Sequence, residues 1–261
     1  MGVLICLSIK MFSLTNLVYD PKHLEHLCVF DQEVKKCKKS LSCSQVGRIV
    51  CAIAHVLLIA GWYHLYGWGQ FEQYLTNWGI CIVLVSLSVS TYVPLCRDYK
   101  RQPGLMAFNH LMMSLSIVVE LVVTFVYWTM VHKQVMKSNE GNLPAIYYAY
   151  AAHIIPSLTC LYNFLVTDFL FYRSYSAVLF ILTGVYLSVN CIKTKLTGNI
   201  AYWFLRFDDM LSIYVVIFFM SAAIFIPFGL ASLTEFVKGR KLSEVAGAVH
   251  VKSVRAQAKS F

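Results

Sequence analysis

Charged side chains are scarce in this sequence. Asp, Glu, Lys and Arg make up 13% of its 261 residues, whereas 58% are apolar, and the mean hydropathy is +0.63. A water-soluble domain usually carries about 25% charged residues, so this composition excludes the ordinary soluble class. It predicts a protein with several membrane-spanning segments.

Sequence motifs for common cofactors are also absent. The chain has no P-loop, no dinucleotide fingerprint, no H-E-x-x-H, no G-x-S-x-G and no histidine box of the membrane desaturase kind. These absences disfavour nucleotide hydrolysis, redox chemistry with a bound dinucleotide and di-iron lipid oxidation. We therefore expect no cofactor.

Six long apolar runs are present instead. A bilayer core about 30 Å thick needs about 20 mostly apolar residues per helix, and the runs cover residues 48–65, 74–96, 105–131, 144–166, 174–192 and 209–234. Lipid cannot satisfy free backbone N–H and C=O groups, and the runs are too long and continuous for barrel strands, so each must be a helix. The predicted fold class is all-α, a polytopic membrane protein built as a six-transmembrane-helix bundle.

Lysine and arginine are distributed unevenly around these runs. One side of the membrane would carry 17 of them and the other side 5. Because such residues concentrate on the cytosolic side, both termini are predicted to be cytosolic. The net charge of +9 thus indicates an orientation in a membrane, and we expect no binding of nucleic acid.

The nine cysteines include no C-x-x-C pair. Those outside the predicted spans are on the predicted cytosolic side, where thiols stay reduced: Cys6, Cys28, Cys37 and Cys43. We expect neither a structural disulfide nor a metal site.

The spans divide the chain into three parts. Residues 1–47 form a basic N-terminal cytosolic or interfacial segment, 48–237 the transmembrane domain and 238–261 a basic C-terminal tail. The cluster of cations that ends the first segment is expected to bind anionic lipid headgroups. Docking of a specific protein partner is the alternative.

A few polar residues fall inside the predicted spans. Glu120 lies near the midplane of the third span, where an ionised carboxylate is costly unless it is paired or protonated. It is interpreted either as a neutral acid that is hydrogen-bonded to a neighbouring helix or as part of an intramembrane polar site with His55 and Asn163. The second interpretation predicts a continuous polar path, as in a channel or carrier.

Thr76 and His153 are predicted to lie at similar depths. Thr76 is in the first turn of the second span, and His153 lies nine residues, about 13 Å, past Pro144 at the start of the fourth. A neutral imidazole can take the proton of a threonine hydroxyl, and such a pair is enough for covalent acyl transfer. The structural alternative is that the threonine bonds to a carbonyl of its own helix and the histidine bridges two helices.

Three stretches of the sequence resemble one family. They are FEQYLTNWGICIVL (71–84), VVTFVYWTMVH (122–132) and YYAYAAHIIP (147–156). These stretches are similar to the multipass membrane family that includes rolling stone and the androgen-induced and androgen-dependent TFPI-regulating proteins. The resemblance covers about residues 48–237 in order and spacing, and YLTNWG and VYWT are its most specific pieces.

The resemblance implies a function. The two androgen-responsive relatives are intramembrane threonine hydrolases of fatty acid esters of hydroxy fatty acids, which implies Thr76 as the nucleophile and His153 as its base. Asn77 would then be placed to donate a hydrogen bond to the oxyanion, or it would simply face interfacial water. Asn77-Trp78 and the long basic N-terminal segment differ from the hydrolase relatives, so the substrate stays open.

A non-catalytic alternative also follows from the resemblance. The rolling stone branch is linked to myoblast fusion, which implies a membrane protein of cell fusion or adhesion, or an accessory subunit of a larger complex with protein partners. The hydrolase hypothesis implies membrane lipids and a lipid ester as partners. Plasma membrane or endoplasmic reticulum is the implied location, and the sequence leaves a mitochondrial inner membrane open.

Overall fold

The computed structural model describes residues 43–67, 71–95, 103–167 and 171–238, and this part of the chain is all-helical apart from turns and connecting segments. The predicted headgroup-binding cluster before residue 43 and the basic tail from residue 239 lie outside the described residues.

The helices follow one another with short connections. They are α1 (Cys43–Tyr66), α2 (Leu75–Tyr92), α3 (Pro103–Val126), α4 (His132–Ser138), α5 (Leu143–Val166), α6 (Tyr175–Thr197) and α7 (Met210–Lys238). Two 3₁₀ turns, Phe71–Gln73 and Val93–Leu95, flank α2. A π-helical turn, Tyr127–Val131, joins α3 to α4, so these two helices form one rod.

Six helical stretches within these ranges are long and apolar enough to cross a membrane. They are Cys43–Tyr66, Leu75–Leu95, Gly104–Ser138, Leu143–Val166, Tyr175–Thr197 and Met210–Phe236. The predicted all-α class with six spans is therefore confirmed for the described part of the chain, and the protein is an integral membrane protein by this criterion.

The helix bounds differ from the predicted bounds by five residues or more at three places. The third stretch continues to Ser138 where the sequence predicts an end at Val131. Helix α1 begins at Cys43, five residues before the predicted start, and α6 ends at Thr197, five residues after the predicted end.

Hydropathy marks where a chain becomes polar, but a helix satisfies its own backbone and can continue past that point into water. Lys133, Gln134 and Lys137 are among the polar residues on the extension of the third stretch.

The bundle has a four-helix part and an added pair. Helices α1, α2, α3 and α5 pack against one another, and α6 pairs with α7 beside α3. Leu58, Ile80 and Ala152 join α1, α2 and α5 in one buried cluster. Ala223 and Ala231 of α7 pack against α3, and such small residues let membrane helices approach closely.

Helices α2 and α3 make a close approach at Gly79. A Cβ atom added there would collide with the carboxyl group of Glu120 on α3. The Glu120 side chain is 2% exposed, so it fills the space that the missing Cβ leaves. Glycine at this position therefore allows the Glu120 carboxyl group to lie against α2, and any larger residue would have to displace the end of that side chain.

Successive spans alternate in direction. The ends of α1, α4 and α6 therefore meet the starts of α2, α5 and α7 at one end of the bundle, which we call the Thr76 end.

Candidate functional site

A cavity of about 480 Å³ lies at the Thr76 end and is called the Thr76 cavity below. Its volume is in the range of small-molecule sites, roughly 300–1,000 Å³. The walls come from α1 to α5, from α7 and from the segment 200–204 that connects α6 to α7. Thr76, Asn77 and His153 all line it, so the structure brings these three predicted residues to one space.

Thr76 is the second residue of α2, and its side chain is held near a tyrosine. The Thr76 hydroxyl is close enough to the Tyr202 phenol to influence its pKa, and the Tyr202 oxygen accepts the backbone N–H of Leu75 at 3.1 Å. The residue before the helix, Tyr74, makes no side-chain cap. Tyr202 therefore satisfies one of the free N–H groups at the start of α2 and fixes the surroundings of Thr76.

Tyr202 lies between the last two spans, outside the membrane-spanning segments. Burial raises the pKa of its phenol to about 12, and the hydrogen bond from the Leu75 N–H opposes that rise. The phenol is consequently protonated at physiological pH. It keeps a proton that it can donate inside the cavity.

The turn before α2 is anchored to α6. The Gln73 carbonyl oxygen accepts hydrogen bonds from the Tyr186 hydroxyl at 3.0 Å and from Asn190 Nδ2 at 2.6 Å. The Gln73 side-chain amide donates to the carbonyl of Asn199 at 3.2 Å. The position of Thr76, three residues further on, is therefore set by a helix more than 100 residues away in the chain.

Glu72 makes a second connection between this turn and α6. Its carboxylate forms an ion pair with Lys193, and this hydrogen bond lowers the pKa of Glu72. The Glu72 carbonyl accepts the indole N–H of Trp78 at 2.8 Å. The turn is thus tied both to α6 and to the first turns of α2.

Asn77 is fully buried. Its Nδ2 donates to the Phe71 carbonyl at 2.9 Å, which closes the turn that precedes α2. Its Oδ1 has no hydrogen-bond partner among the described residues. The amide keeps a second N–H donor beside the cavity, and the oxyanion role stays a prediction.

His153 is buried on α5, and its ring lies flat against that of Tyr127. The ring centroids are 3.5 Å apart and the planes are inclined by 13°. Nδ1 of His153 has no hydrogen-bond partner within the described ranges. A base is commonly oriented by a hydrogen bond to a third group, but here ring stacking fixes the plane of the imidazole.

The π-helical turn accounts for the placement of Tyr127. A π turn inserts an extra residue into a helix and changes which side chains face inward, and such turns are frequent at functional sites. Tyr127 points inward and is 2% exposed, whereas the next residue, Trp128, is exposed. The stretch VYWT is one of the specific pieces of the family resemblance, but sequence reasoning assigned no role to Tyr127.

Pro156 lies three residues after His153, inside α5. It removes the N–H that would otherwise bond to the Ala152 carbonyl. Ala152 and His153 both line the Thr76 cavity. Helix α5 is therefore continuous but lacks one backbone donor beside the cavity.

The other predicted polar residues do not line the Thr76 cavity. Asn163 Oδ1 accepts a hydrogen bond from Nε of the buried Arg48 at 2.9 Å, near the opposite end of the bundle. His55 Nδ1 bonds to the Cys51 carbonyl of its own helix at 2.8 Å. Neither carboxyl oxygen of Glu120 has a hydrogen-bond partner in the described part of the chain. No hydrogen bond joins Glu120, His55 and Asn163 in the described part of the chain, and the channel or carrier alternative stays a prediction.

One wall of the cavity is aromatic. The Trp- and Tyr-rich stretch that begins at residue 61 forms the end of α1, and Trp62 is 8% exposed. The Trp62 ring packs against those of Tyr66 and Tyr74, with centroids 4.7 and 5.0 Å away. Amphipathic rings suit a partly polar cavity as well as a membrane interface, so composition did not distinguish the two.

No family model matches this chain, and neither a curated protein nor a solved structure matches it. The fold and the cavity define the class of protein, a helical membrane protein whose described residues include six membrane-spanning stretches and a partly polar cavity at one end. Anything narrower is a proposal.

Proposed function

We propose that this protein is an integral membrane hydrolase of lipid esters, in which Thr76 is the nucleophile and His153 the base. The observation that carries the proposal is that both side chains line one cavity at the Thr76 end, although they are on different helices. The resemblance to the family of rolling stone and the androgen-responsive hydrolases points to the same two residues.

The reaction would proceed in two steps. Thr76 Oγ attacks the ester carbonyl carbon while its proton passes to His153, and the tetrahedral intermediate collapses when the alcohol leaves with that proton. Water then loses a proton to His153 and attacks the acyl-threonine. The fatty acid departs, and the proton returns to Thr76.

Two donors are available for the negative charge on the attacked carbonyl oxygen. One is the second N–H of the Asn77 amide, and the other is the Tyr202 phenol, which stays protonated near neutral pH. Donors that are fixed before the reaction are effective because they need no reorganisation as charge develops.

The substrate class follows from the site and the resemblance together. The cavity combines aromatic and aliphatic walls with a few polar groups, which suits an ester carried by long apolar chains. Fatty acid esters of hydroxy fatty acids are the substrates that the resemblance implies. The proposal places both termini in the cytosol and the Thr76 end in the outer leaflet of the plasma membrane or the lumenal leaflet of the endoplasmic reticulum.

The test compares purified wild type with Thr76→Ala and Thr76→Ser in phosphatidylcholine vesicles. The substrates are a palmitic acid ester of hydroxystearic acid and 4-nitrophenyl palmitate. We expect Thr76→Ala to lower kcat by roughly 10³-fold or more, since removal of a nucleophile abolishes the covalent route. Thr91→Ala is the matched control, because Thr91 is on the same helix, outside the cavity, and bonds to the Leu87 carbonyl.

An acyl group trapped on Thr76 and detected by mass spectrometry would support the nucleophile directly. Wild-type turnover by Thr76→Ala would overturn the proposal.

One observation favours a non-catalytic alternative. The Thr76 hydroxyl already has a neighbour in the Tyr202 phenol, so Thr76 could serve to hold the 200–204 segment in place. In that case the protein would act in cell fusion or adhesion, or as an accessory subunit. Turnover absent from folded wild type, with Thr76→Ala reducing thermal stability alone, would support this alternative.

A further inference from the structure

A second cavity, of about 340 Å³, lies between α3 and α7. Its walls come from the end of α3, from the π-helical turn and from the second and third turns of α7, and we call it the α3–α7 cleft. All the side chains that line it are apolar except Thr129 and Tyr214. The Thr129 hydroxyl donates to the Phe125 carbonyl, so it offers the cleft no free donor.

The α3–α7 cleft adjoins the Thr76 cavity. Val126 and Phe219 line both spaces, and both side chains are buried. Val126 is on α3 and Phe219 on α7, so each of these helices contributes one side chain to the lining of both spaces.

The other side of the cleft faces away from the bundle. The rings of Phe125 and Phe218 form a tilted aromatic pair on that side, with centroids 6.3 Å apart. They are 55% and 45% exposed. Because α3 and α7 belong to membrane-spanning stretches, these exposed rings face lipid.

A third cavity adjoins the Thr76 cavity but is too small to hold an acyl chain. It lies between α2, α3, α6 and α7, shares Leu75 and Phe219 with the Thr76 cavity, and has a volume of about 40 Å³. Such a space holds about three water molecules at most. The α3–α7 cleft is about eight times larger, so it is the better candidate for an acyl chain.

We propose that the α3–α7 cleft admits and holds the acyl chain of the lipid substrate while the ester group reaches the Thr76 cavity past Val126 and Phe219. The identity of the chain as part of an ester rests on the proposed function. A chain that enters sideways from the bilayer stays in apolar surroundings throughout, whereas a chain that enters through the end of the bundle must first leave lipid for water, which is unfavourable for every CH₂ group.

Photo-cross-linking tests this route without requiring turnover. The probe is a palmitate ester that carries a diazirine in its chain, incorporated in phosphatidylcholine vesicles with the full-length protein. We expect labels at Phe125, Thr129 and Phe218, and we expect excess unlabelled ester to suppress them. Labels that are spread evenly over lipid-facing residues and are not suppressed would overturn the proposal.

Two variants with matched controls sharpen the test. Thr129→Trp fills the cleft, and Leu121→Trp puts the same bulk on a lipid-facing position of α3 outside it. Phe218→Ala opens the cleft, and Phe228→Ala removes an equally exposed ring, 44% against 45%, from a position on α7 outside the cleft.

We call labelling that excess unlabelled ester suppresses competed labelling. We expect Thr129→Trp to lower competed labelling roughly tenfold and Phe218→Ala to preserve or raise it. Both control variants should be labelled as strongly as wild type. With active protein, Thr129→Trp should lower kcat/KM for 4-nitrophenyl palmitate and leave that for 4-nitrophenyl acetate unchanged. Equal loss for both esters, or no change in labelling in a folded variant, would overturn the role of the cleft.

These outcomes separate the cleft from the catalytic proposal. Competed labelling in the cleft without Thr76-dependent hydrolysis would support the lipid route and reject the hydrolase. Hydrolysis that depends on Thr76, with competed labels found only outside the cleft, would reject the route and leave the hydrolase intact.

Discussion

The ring of Tyr127 stacks on that of His153, with centroids 3.5 Å apart and planes inclined by 13°. This contact links the π-helical turn after α3 to the middle of α5. It holds the imidazole plane in the wall of the Thr76 cavity, where the nearest described residues offer Nδ1 no hydrogen bond.

Tyr127→Leu is expected to lower kcat because the imidazole loses the surface that fixes its plane. Misplacement of a catalytic group by about 1 Å can cost up to about 10²-fold in rate, so we expect a loss of roughly 10- to 100-fold. Tyr127→Phe keeps a stacking ring and should restore most of the rate, as measured with 4-nitrophenyl palmitate. Equal losses in Tyr127→Leu and Tyr127→Phe would assign the effect to the hydroxyl and contradict the stacking role.

Tyr202→Phe removes the phenol that accepts the N–H of Leu75 and lies near Thr76. If the phenol donates to the oxyanion, kcat should fall by roughly 10²- to 10³-fold while KM changes little. Measured rates should decline at high pH only as the phenol approaches its raised pKa of about 12. A lower melting temperature with unchanged kcat would instead give Tyr202 the role of a helix cap.

Glu72→Gln tests the ion pair between the turn before α2 and α6. The hydrogen bond with Lys193 lowers the pKa of Glu72 in the folded protein below its ordinary value of 4.5. The ion pair therefore contributes its full stabilisation at pH values above 4.5. This stabilisation is lost as the pH falls through the lowered pKa of the folded state. Because both side chains are partly exposed, we expect less than about 1 kcal/mol at pH 7.

The measurement is the thermal midpoint in detergent as a function of pH. The difference between wild type and Glu72→Gln should disappear at acidic pH, and Glu140→Gln, at the exposed turn before α5, is the control for removal of one surface carboxylate. A difference for Glu72→Gln that persists or grows at low pH would show that the ion pair is not its cause.

Gly79→Ala tests the close approach of α2 and α3. The added methyl group would collide with the Glu120 carboxyl group, so we expect a loss of roughly 1–3 kcal/mol in the free energy of unfolding. The double variant Gly79→Ala/Glu120→Ala should recover part of that loss. Gly229→Ala on α7 has no neighbour within 4 Å of the added Cβ and should be neutral or stabilising.

The proposed orientation can be tested with a membrane-impermeant maleimide in intact cells. Lys137→Cys places a thiol at an exposed position at the Thr76 end, while the native Cys43 is exposed at the opposite end. We expect the thiol at position 137 to react in intact cells and Cys43 only after permeabilisation, if the protein is at the plasma membrane. The reverse order would invert the orientation.

Much of the fold was predictable from the sequence because transfer of a helix into lipid depends mainly on its own composition. Six apolar runs of sufficient length predicted the six stretches that the structure contains. The bounds were less predictable, since α4 is a polar extension that hydropathy does not detect.

Part of the candidate site was predictable for a related reason. The distance of a residue from its helix start gives its depth, which placed Thr76 and His153 in the same half of the bilayer. Depth does not specify which face of a helix a side chain occupies. That Thr76, Asn77 and His153 share a cavity, and that Glu120, His55 and Asn163 do not, therefore depended on how the helices pack.

By itself the sequence determined the class, the span count and two residues of matching depth, since these follow from local composition and helix geometry. Only the tertiary structure decided the rest. Tyr202 reaches Leu75 across 127 positions of the chain, and Asn190 reaches Gln73 across 117. The stacking of Tyr127 on His153 needs a π-helical turn that no local sequence pattern predicted. Contacts of this kind arise from the packing of whole helices, because each depends on the rotation and position of two elements at once.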